Sequence, residues 1–186
     1  MGLPLQVMTL DEFLEWENAQ PEKHEFHRGE VFAMTGGRRS HGRVLLNLGR
    51  RLMEQVDGSG CQVFVDSMKV QVANDTILYP DVFVTCDAAD LATDMIFRSP
   101  KLVIEVLSPS TQAYDRSQKF ALYRRLDSLQ EYVLVDPETR RIESFRRHAE
   151  GFWVLHDMSQ DEAMVLPCID GRVSLALVFE GLDPPA

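Results

Sequence analysis

A single α/β (α+β) domain, with one mixed, twisted β-sheet core flanked by helices, is the fold class this sequence predicts. Three observations predict it. Two apolar runs of strand length, 102–107 and 131–136, bracket an amphipathic segment at 115–126, the arrangement of a parallel crossover. Alternating segments separated by turn residues lie on either side of that unit and add β elements at both ends. The 186 residues contain no repeat, low-complexity tract or long linker, so 1–186 is expected to be one domain able to bury its own core.

Each element has a local cause. Thr9 and Glu12 stand at capping-box spacing, and Leu10, Phe13 and Leu14 give the short helix after them an apolar stripe. Residues 24–34 alternate loosely around Gly29 as a hairpin or bent strand, which Gly36-Gly37 breaks. Ser40 is expected to cap a second helix, where Leu45, Leu48, Leu52 and Val56 recur at helical spacing until Gly58 stops it. Strands are expected over 62–72, 82–86 and 102–107, with 87–99 a polar loop containing a helical turn. After the Ser108-Pro109-Ser110-Thr111 turn, Phe120, Tyr123 and Leu126 mark the apolar side of a helix over 115–126. A strand at 131–136 turns through Pro137-Glu138-Thr139 into 141–146, and 152–156 and 164–167 read as edge strands. Residues 173–179 close the chain with a period that fits neither helix nor strand alone.

Composition narrows the function. Apolar residues at 45% and charged residues at 26% are ordinary for a globular protein in water. No apolar run approaches the roughly 20 residues a bilayer span needs. Met1 to Thr9 lacks the basic region and apolar core of a signal peptide. Cys61, Cys86 and Cys168 are an odd count at unpatterned spacings among apolar neighbours, which predicts buried reduced thiols, no zinc site and a cytoplasmic location. The formal charge of −10 works against non-specific nucleic-acid binding, because phosphate contacts dominate that affinity. Arginines nevertheless bunch, at Arg38-Arg39, Arg124-Arg125, Arg140-Arg141 and Arg146-Arg147.

One residue stands out. Glu105 lies inside the apolar run 102–107, where an unpaired carboxylate would cost several kcal/mol, so it should have a cation or proton for a partner. Val103, Glu105 and Leu107 share one face of that strand, and Leu102, Ile104 and Val106 the other. Asp81 follows Pro80 at the mouth of the strand before it. Two carboxylates converging from neighbouring strands, with a backbone carbonyl such as that of Val106, suit a hard divalent cation. Asp115 and Lys119 are one helical turn apart, so Lys119 is placed to reach back toward Glu105 and position water or phosphate charge. His41, beside Arg38 and Arg39 at a helix start, is a candidate for contacting anionic substrate. Glu25 and Glu30 flank Gly29, and either could supply a third carboxylate; Glu30 is taken as the supporting residue.

Pro80-Asp81 and Glu105 within a helix–three strands–helix–strand core resemble the PD-(D/E)XK nuclease superfamily. Glu25…Gly29-Glu30-Val31, Glu105-Val106-Leu107-Ser108-Pro109-Ser110-Thr111, Asp115…Lys119…Tyr123 and Glu131-Tyr132-Val133-Leu134-Val135-Asp136-Pro137 resemble, more narrowly, the Uma-two family of restriction-endonuclease-like proteins. The resemblance spans about Thr9 to Phe152. It implies a restriction-endonuclease-like fold and magnesium- (or manganese-) dependent hydrolysis of DNA, with Asp81 and Glu105 as metal ligands, and, since folds that cut both strands often pair, a homodimer. The superfamily's Glu-x-Lys spacing places its lysine at 107, where this chain has Leu107; the Uma-two pattern has an apolar residue there and a helix lysine matching Lys119. Two rival readings follow: a catalytically silent nuclease fold that binds or regulates, and a hydrolase of small phosphate esters.

Overall fold

The first described element begins with a reciprocal cap. In the computed structural model, which describes residues 8–34 and 37–183, the Glu12 carboxylate accepts the Thr9 N–H at 2.7 Å while the Thr9 hydroxyl accepts the Glu12 N–H at 3.3 Å. Helix α1 (Leu10–Glu17) then buries Phe13 and Glu17. Strands β1 (His24–His27) and β2 (Glu30–Ala33) form an antiparallel hairpin through left-handed Arg28 and Gly29, at φ 50° and 88°. Gly36 lies outside the described residues. Helix α2 (Arg39–Val56) starts one residue before Ser40, with Arg38 at its N-cap, so Ser40 is not the cap; its hydroxyl instead donates to Glu138.

The expected strand over 62–72 is two strands. The chain runs as β3 (Gln62–Val65), turns through Asp66 and Ser67 at φ 52° and 69°, and resumes as β4 (Lys69–Ala73) in another sheet. Two non-glycine residues in left-handed conformation aim the backbone away at a conformational cost. A hairpin links β4 to β5 (Thr76–Leu78), and Tyr79-Pro80-Asp81 carries the chain back to β6 (Val82–Thr85). Next come α3 (Ala88–Leu91), capped by the Asp87 carboxylate, β7 (Ile96–Phe97) and β8 (Leu102–Val106). The helix expected over 115–126 is an α-turn α4 (Gln112–Tyr114), a π-helical turn at Asp115–Lys119 and α5 (Phe120–Tyr123) in continuous succession. Strands β9 (Glu131–Asp136), β10 (Arg141–Arg147), β11 (Trp153–Asp157), β12 (Ala163–Leu166) and β13 (Gly171–Ser174) follow, and the ambiguous end is β13 joined to helix α6 (Leu175–Val178).

Instead of one sheet, the described residues form three: six strands ordered β11-β10-β9-β8-β6-β3, five ordered β2-β1-β5-β4-β7, and the β12-β13 ribbon. At the centre of the larger sheet, β8 pairs parallel with β9 and antiparallel with β6, as expected for a strand–helix–strand crossover. Alternation along β8 separates two cores. Leu102, Ile104 and Val106 pack with Val44, Leu48 and Leu52 of α2, whereas Val103 and Leu107 pack with Phe120 and Tyr123 of α5. Phe13, Phe26, Ile77 and Tyr79 form a third cluster beneath the five-stranded sheet.

The cysteines also differ from expectation. Gln62 of β3 faces Thr85 of β6, so the next pair outward sets Cys61 against Cys86, and these two form a disulfide with their Cα atoms 4.0 Å apart. Cys168 remains a free, half-buried thiol, which burial and neighbouring Glu131 push up in pKa. The cytoplasmic location expected from three reduced thiols loses that ground. Among the described residues no helix is long and apolar enough to cross a membrane.

Denatured, unreduced protein should titrate one thiol, that of Cys168, and reduced protein three. Reduction should lower unfolding free energy by about 2–4 kcal/mol in urea melts, the usual contribution of a bridge closing a loop of this length. Three thiols without reductant would refute the bridge.

Candidate active site

Asp81, the last residue of the Tyr79–Asp81 crossing between sheets, lines a cleft of about 780 Å³. Its walls come from β1, β2, the start of α2, the β3–β4 turn, the end of β8 and the helix after it. Asp81 lies where the chain re-enters the larger sheet. Its Oδ2 accepts the Val106 N–H at 2.7 Å and lies 3.3 Å from His41 Nε2, so the end of β8 and the first turn of α2 both fix it. Asp66 N–H donates to the Asp81 carbonyl at 2.8 Å, tying the left-handed turn to the same residue.

Glu105 projects from β8 on the face opposite Val106 and is 2% exposed. Its Oε1 stands 3.0 Å from Lys119 Nζ, and this ammonium also lies 3.1 Å from Glu25 Oε1 and donates to the Tyr79 carbonyl at 3.2 Å. Lys119 is therefore bound from three elements, β1, β8 and the inter-sheet crossing. Lys119 and Asp115, both in the π-helical turn, are buried, and Phe120 and Tyr123 just after it fill the apolar core. Tyr114 donates its hydroxyl to Glu25 Oε2 at 3.3 Å from the same helix.

The charges interlock. Burial pushes the Glu105 carboxyl well above the usual range, Asp81 and Asp115 push it further, and Lys119 pulls it down. Burial also raises Asp115, against the pull of Lys119 and a Thr111 hydrogen bond. Burial alone would lower Lys119, but Glu105, Glu25, Asp115 and Asp81 outweigh it and hold the ammonium protonated. For His41, burial is likewise outweighed by the bond and charge of Asp81, so its pKa is raised. The lining holds more acidic than basic side chains, with Glu22, Glu25, Asp66, Asp81, Glu105 and Asp115 beside Lys23, Arg38, His41 and Lys119.

A divalent cation fits that excess. Glu105 Oε1 is buried and, apart from the Lys119 ammonium 3.0 Å away, has no polar partner among the described residues. Among the described residues no three His, Cys, Asp or Glu side chains form a cage for a metal. Magnesium is commonly held without one, by one or two carboxylates with water and substrate phosphate completing the shell. Asp81 and Glu105, with the Val106 carbonyl, are the residues that would hold it.

Of the residues singled out in the sequence, the structure places Asp81, Glu105, Val106, Lys119, Asp115, His41 and Arg38 around this cleft. Two lie elsewhere. Arg39, one helical step from Arg38, turns outward to Asp183 at 2.6 Å. Glu30 is exposed at the turn end of the hairpin opposite His27, and Glu25, two positions deeper on β1, is the hairpin acid that reaches the cleft. Asp115, one turn from Lys119, acts on it through its charge, and Glu25 is the carboxylate that pairs with the ammonium beside Glu105. Tyr79 and Tyr114 escaped the sequence reading, since a backbone carbonyl ligand and a tyrosine beside an apolar helix face leave no pattern.

A cleft at the junction of a mixed sheet and a helix, with two acids and a lysine at its floor, is the arrangement of a restriction-endonuclease-like fold. The chain belongs to the Uma2 family, described as "Putative restriction endonuclease", whose profile matches residues 10–177. Among its relatives are two proteins of Synechocystis sp.: uncharacterized protein slr1290 is 34% identical over 180 residues, covering 96% of this chain and 95% of that one, and uncharacterized protein sll1609 is 31% identical over 163 residues, covering 86% and 92%. The crystal structure of "a putative nuclease belonging to DUF820" from Anabaena variabilis superimposes with a TM-score of 0.74 at 19% identity, covering 92% of this chain and 97% of that one, which shows the shared fold.

Lys119→Met, similar in volume but uncharged, should destabilise the fold by about 3–5 kcal/mol in urea melts, because it strands buried carboxylates without a counter-charge. A loss below about 1 kcal/mol would show that the cluster is not held by its charge.

Proposed function

We propose that this protein is a metal-dependent endonuclease that hydrolyses DNA phosphodiester bonds with Mg²⁺ or Mn²⁺. The observation that carries the proposal is the buried ammonium of Lys119, 3.0 Å from Glu105, in a cleft whose other floor acid is Asp81. A bound divalent ion would lower the pKa of a coordinated water and neutralise charge on the scissile phosphate. The acidic excess of the lining supports this requirement, since a cation there would offset its repulsion of a polyanion.

The chain's own groups have distinct tasks. Asp81, fixed through one oxygen by the Val106 N–H, presents a carboxylate with little freedom to move. Lys119, kept protonated by four surrounding acids, cannot accept the proton of an attacking water; it is a fixed positive charge for orienting water and stabilising the phosphorane-like transition state. Arg38, at the cleft mouth and paired with Glu138 at 3.8 Å, is placed to meet a backbone phosphate. His41, bonded to Asp81, acts on substrate through that carboxylate. One site cuts one strand at a time, and a homodimer would bring two sites to a duplex at once.

Cleavage of plasmid or oligonucleotide DNA should require Mg²⁺ or Mn²⁺ and stop in chelator. Glu105→Gln should abolish it with the fold retained, and Lys119→Ala should slow it by roughly 10²–10³-fold, the range for losing one charge-stabilising group. Leu107→Lys should add nothing while Lys119 is present, but should restore part of the rate on the Lys119→Ala background. Cleavage surviving both Glu105→Gln and Asp81→Asn would locate the chemistry elsewhere. Absence of cleavage with every metal would favour the silent binding protein. Turnover of small phosphodiesters alone would favour the small-ester hydrolase, for which a cleft of about 780 Å³ is of suitable size.

A further inference from the structure

A second buried polar group lies behind the cleft, outside the chemistry proposed for it. Glu17, at the end of α1, is 5% exposed. Its Oε1 accepts the Tyr79 hydroxyl at 2.8 Å and the His24 N–H at 3.0 Å, and its Oε2 lies 2.9 Å from His24 Nδ1. The ring of Tyr79 packs in the cluster of Phe13, Phe26 and Ile77. Its main chain points the other way. The carbonyl accepts Lys119 Nζ at 3.2 Å, the N–H donates to Glu25 Oε1 at 3.4 Å, and Asp81 follows two residues later.

Tyr79 needs a tether for physical reasons. It follows a three-residue strand and precedes Pro80, which has no N–H to give to either sheet. Sheet hydrogen bonding alone therefore holds the crossing weakly. A phenol donating to a buried carboxylate is a charge-assisted bond, shorter and stronger than a neutral one.

We propose that Tyr79, clamped by Glu17, is a positioning residue: the Glu17–Tyr79 hydrogen bond sets the peptide from which Lys119, Glu25 and Asp81 take their places. For its catalytic readout the inference rests on the proposed hydrolysis; its structural readout is independent of it. Tyr79→Phe deletes the hydroxyl alone, and Glu17→Gln keeps the volume of the carboxylate while weakening the bond. The test observes Lys119 directly, through the ¹H–¹⁵N resonance of its shielded ammonium, assigned by its loss in Lys119→Met.

Both variants should shift or broaden that resonance. Both should also lower kcat in Mg²⁺-dependent DNA cleavage by roughly tenfold or more, with KM within about twofold, as expected when reacting groups are misplaced but binding surfaces are kept. The double variant should match the worse single one in both readouts at Lys119, since both changes act there through the same Glu17–Tyr79 bond. If the resonance and kcat match the parent in both variants while only the melting temperature falls, Tyr79 merely packs and the inference is overturned. If the parent cleaves nothing, the hydrolysis reading fails and the Lys119 resonance alone decides this one. Should Tyr79→Phe not fold, Glu17→Gln decides by the same two readouts.

Discussion

The ammonium of Lys119 is the interaction on which the arrangement depends. One of its carboxylates, Glu25, belongs to the five-stranded sheet; the other, Glu105, belongs to the six-stranded sheet; and its third partner is the carbonyl of Tyr79 where the chain passes between them. Burying an ammonium or a carboxylate costs several kcal/mol, and each charge here is tolerable only because the others are present. The two sheets and the helix are thus tied together through one point charge, which also lies at the floor of the cleft.

This accounts for Leu107. Residue 107 follows Glu105 on the same face of β8, where the superfamily's usual spacing has its lysine. Here that position is 4% exposed and packed in the core with Phe120 and Tyr123. The positive charge comes instead from the next helix, from the residue just before Phe120 and one turn before Tyr123. Lys119 and Tyr123 are four residues apart and so share a side of the helix, where the lysine meets Glu105 and the tyrosine fills the core; the π-helical turn at Asp115–Lys119 leads into them.

Much of this was legible in the sequence because it is local. The apolar run around Glu105 announces a buried charge, the capping box announces α1, and the alternation of β8 divides two cores as its residues predict. The rest turns on pairings between distant segments. Nothing in the alternating run from Gln62 to Val72 shows that Asp66 and Ser67 adopt left-handed conformations and send its second half to another sheet. The choice between Glu25 and Glu30 is one of depth along a hairpin, and that between Arg38 and Arg39 is about 100° of helical phase. Cys61 and Cys86 look unrelated until β3 and β6 are set in register. Each needed the partner element, which the local pattern does not contain.

The Cys61–Cys86 bridge has a topological consequence. It joins residues 25 positions apart, at the base of the two strands between which the chain leaves the larger sheet and returns. The β4–β5 excursion and the Tyr79–Asp81 crossing therefore lie on a covalently closed ring. In the oxidised protein, a single protease cut within that ring leaves one molecule and not two. Glu25 on one side of such a cut and Glu105 with Lys119 on the other would still be held by the same covalent framework, and a nicked chain could keep its site assembled.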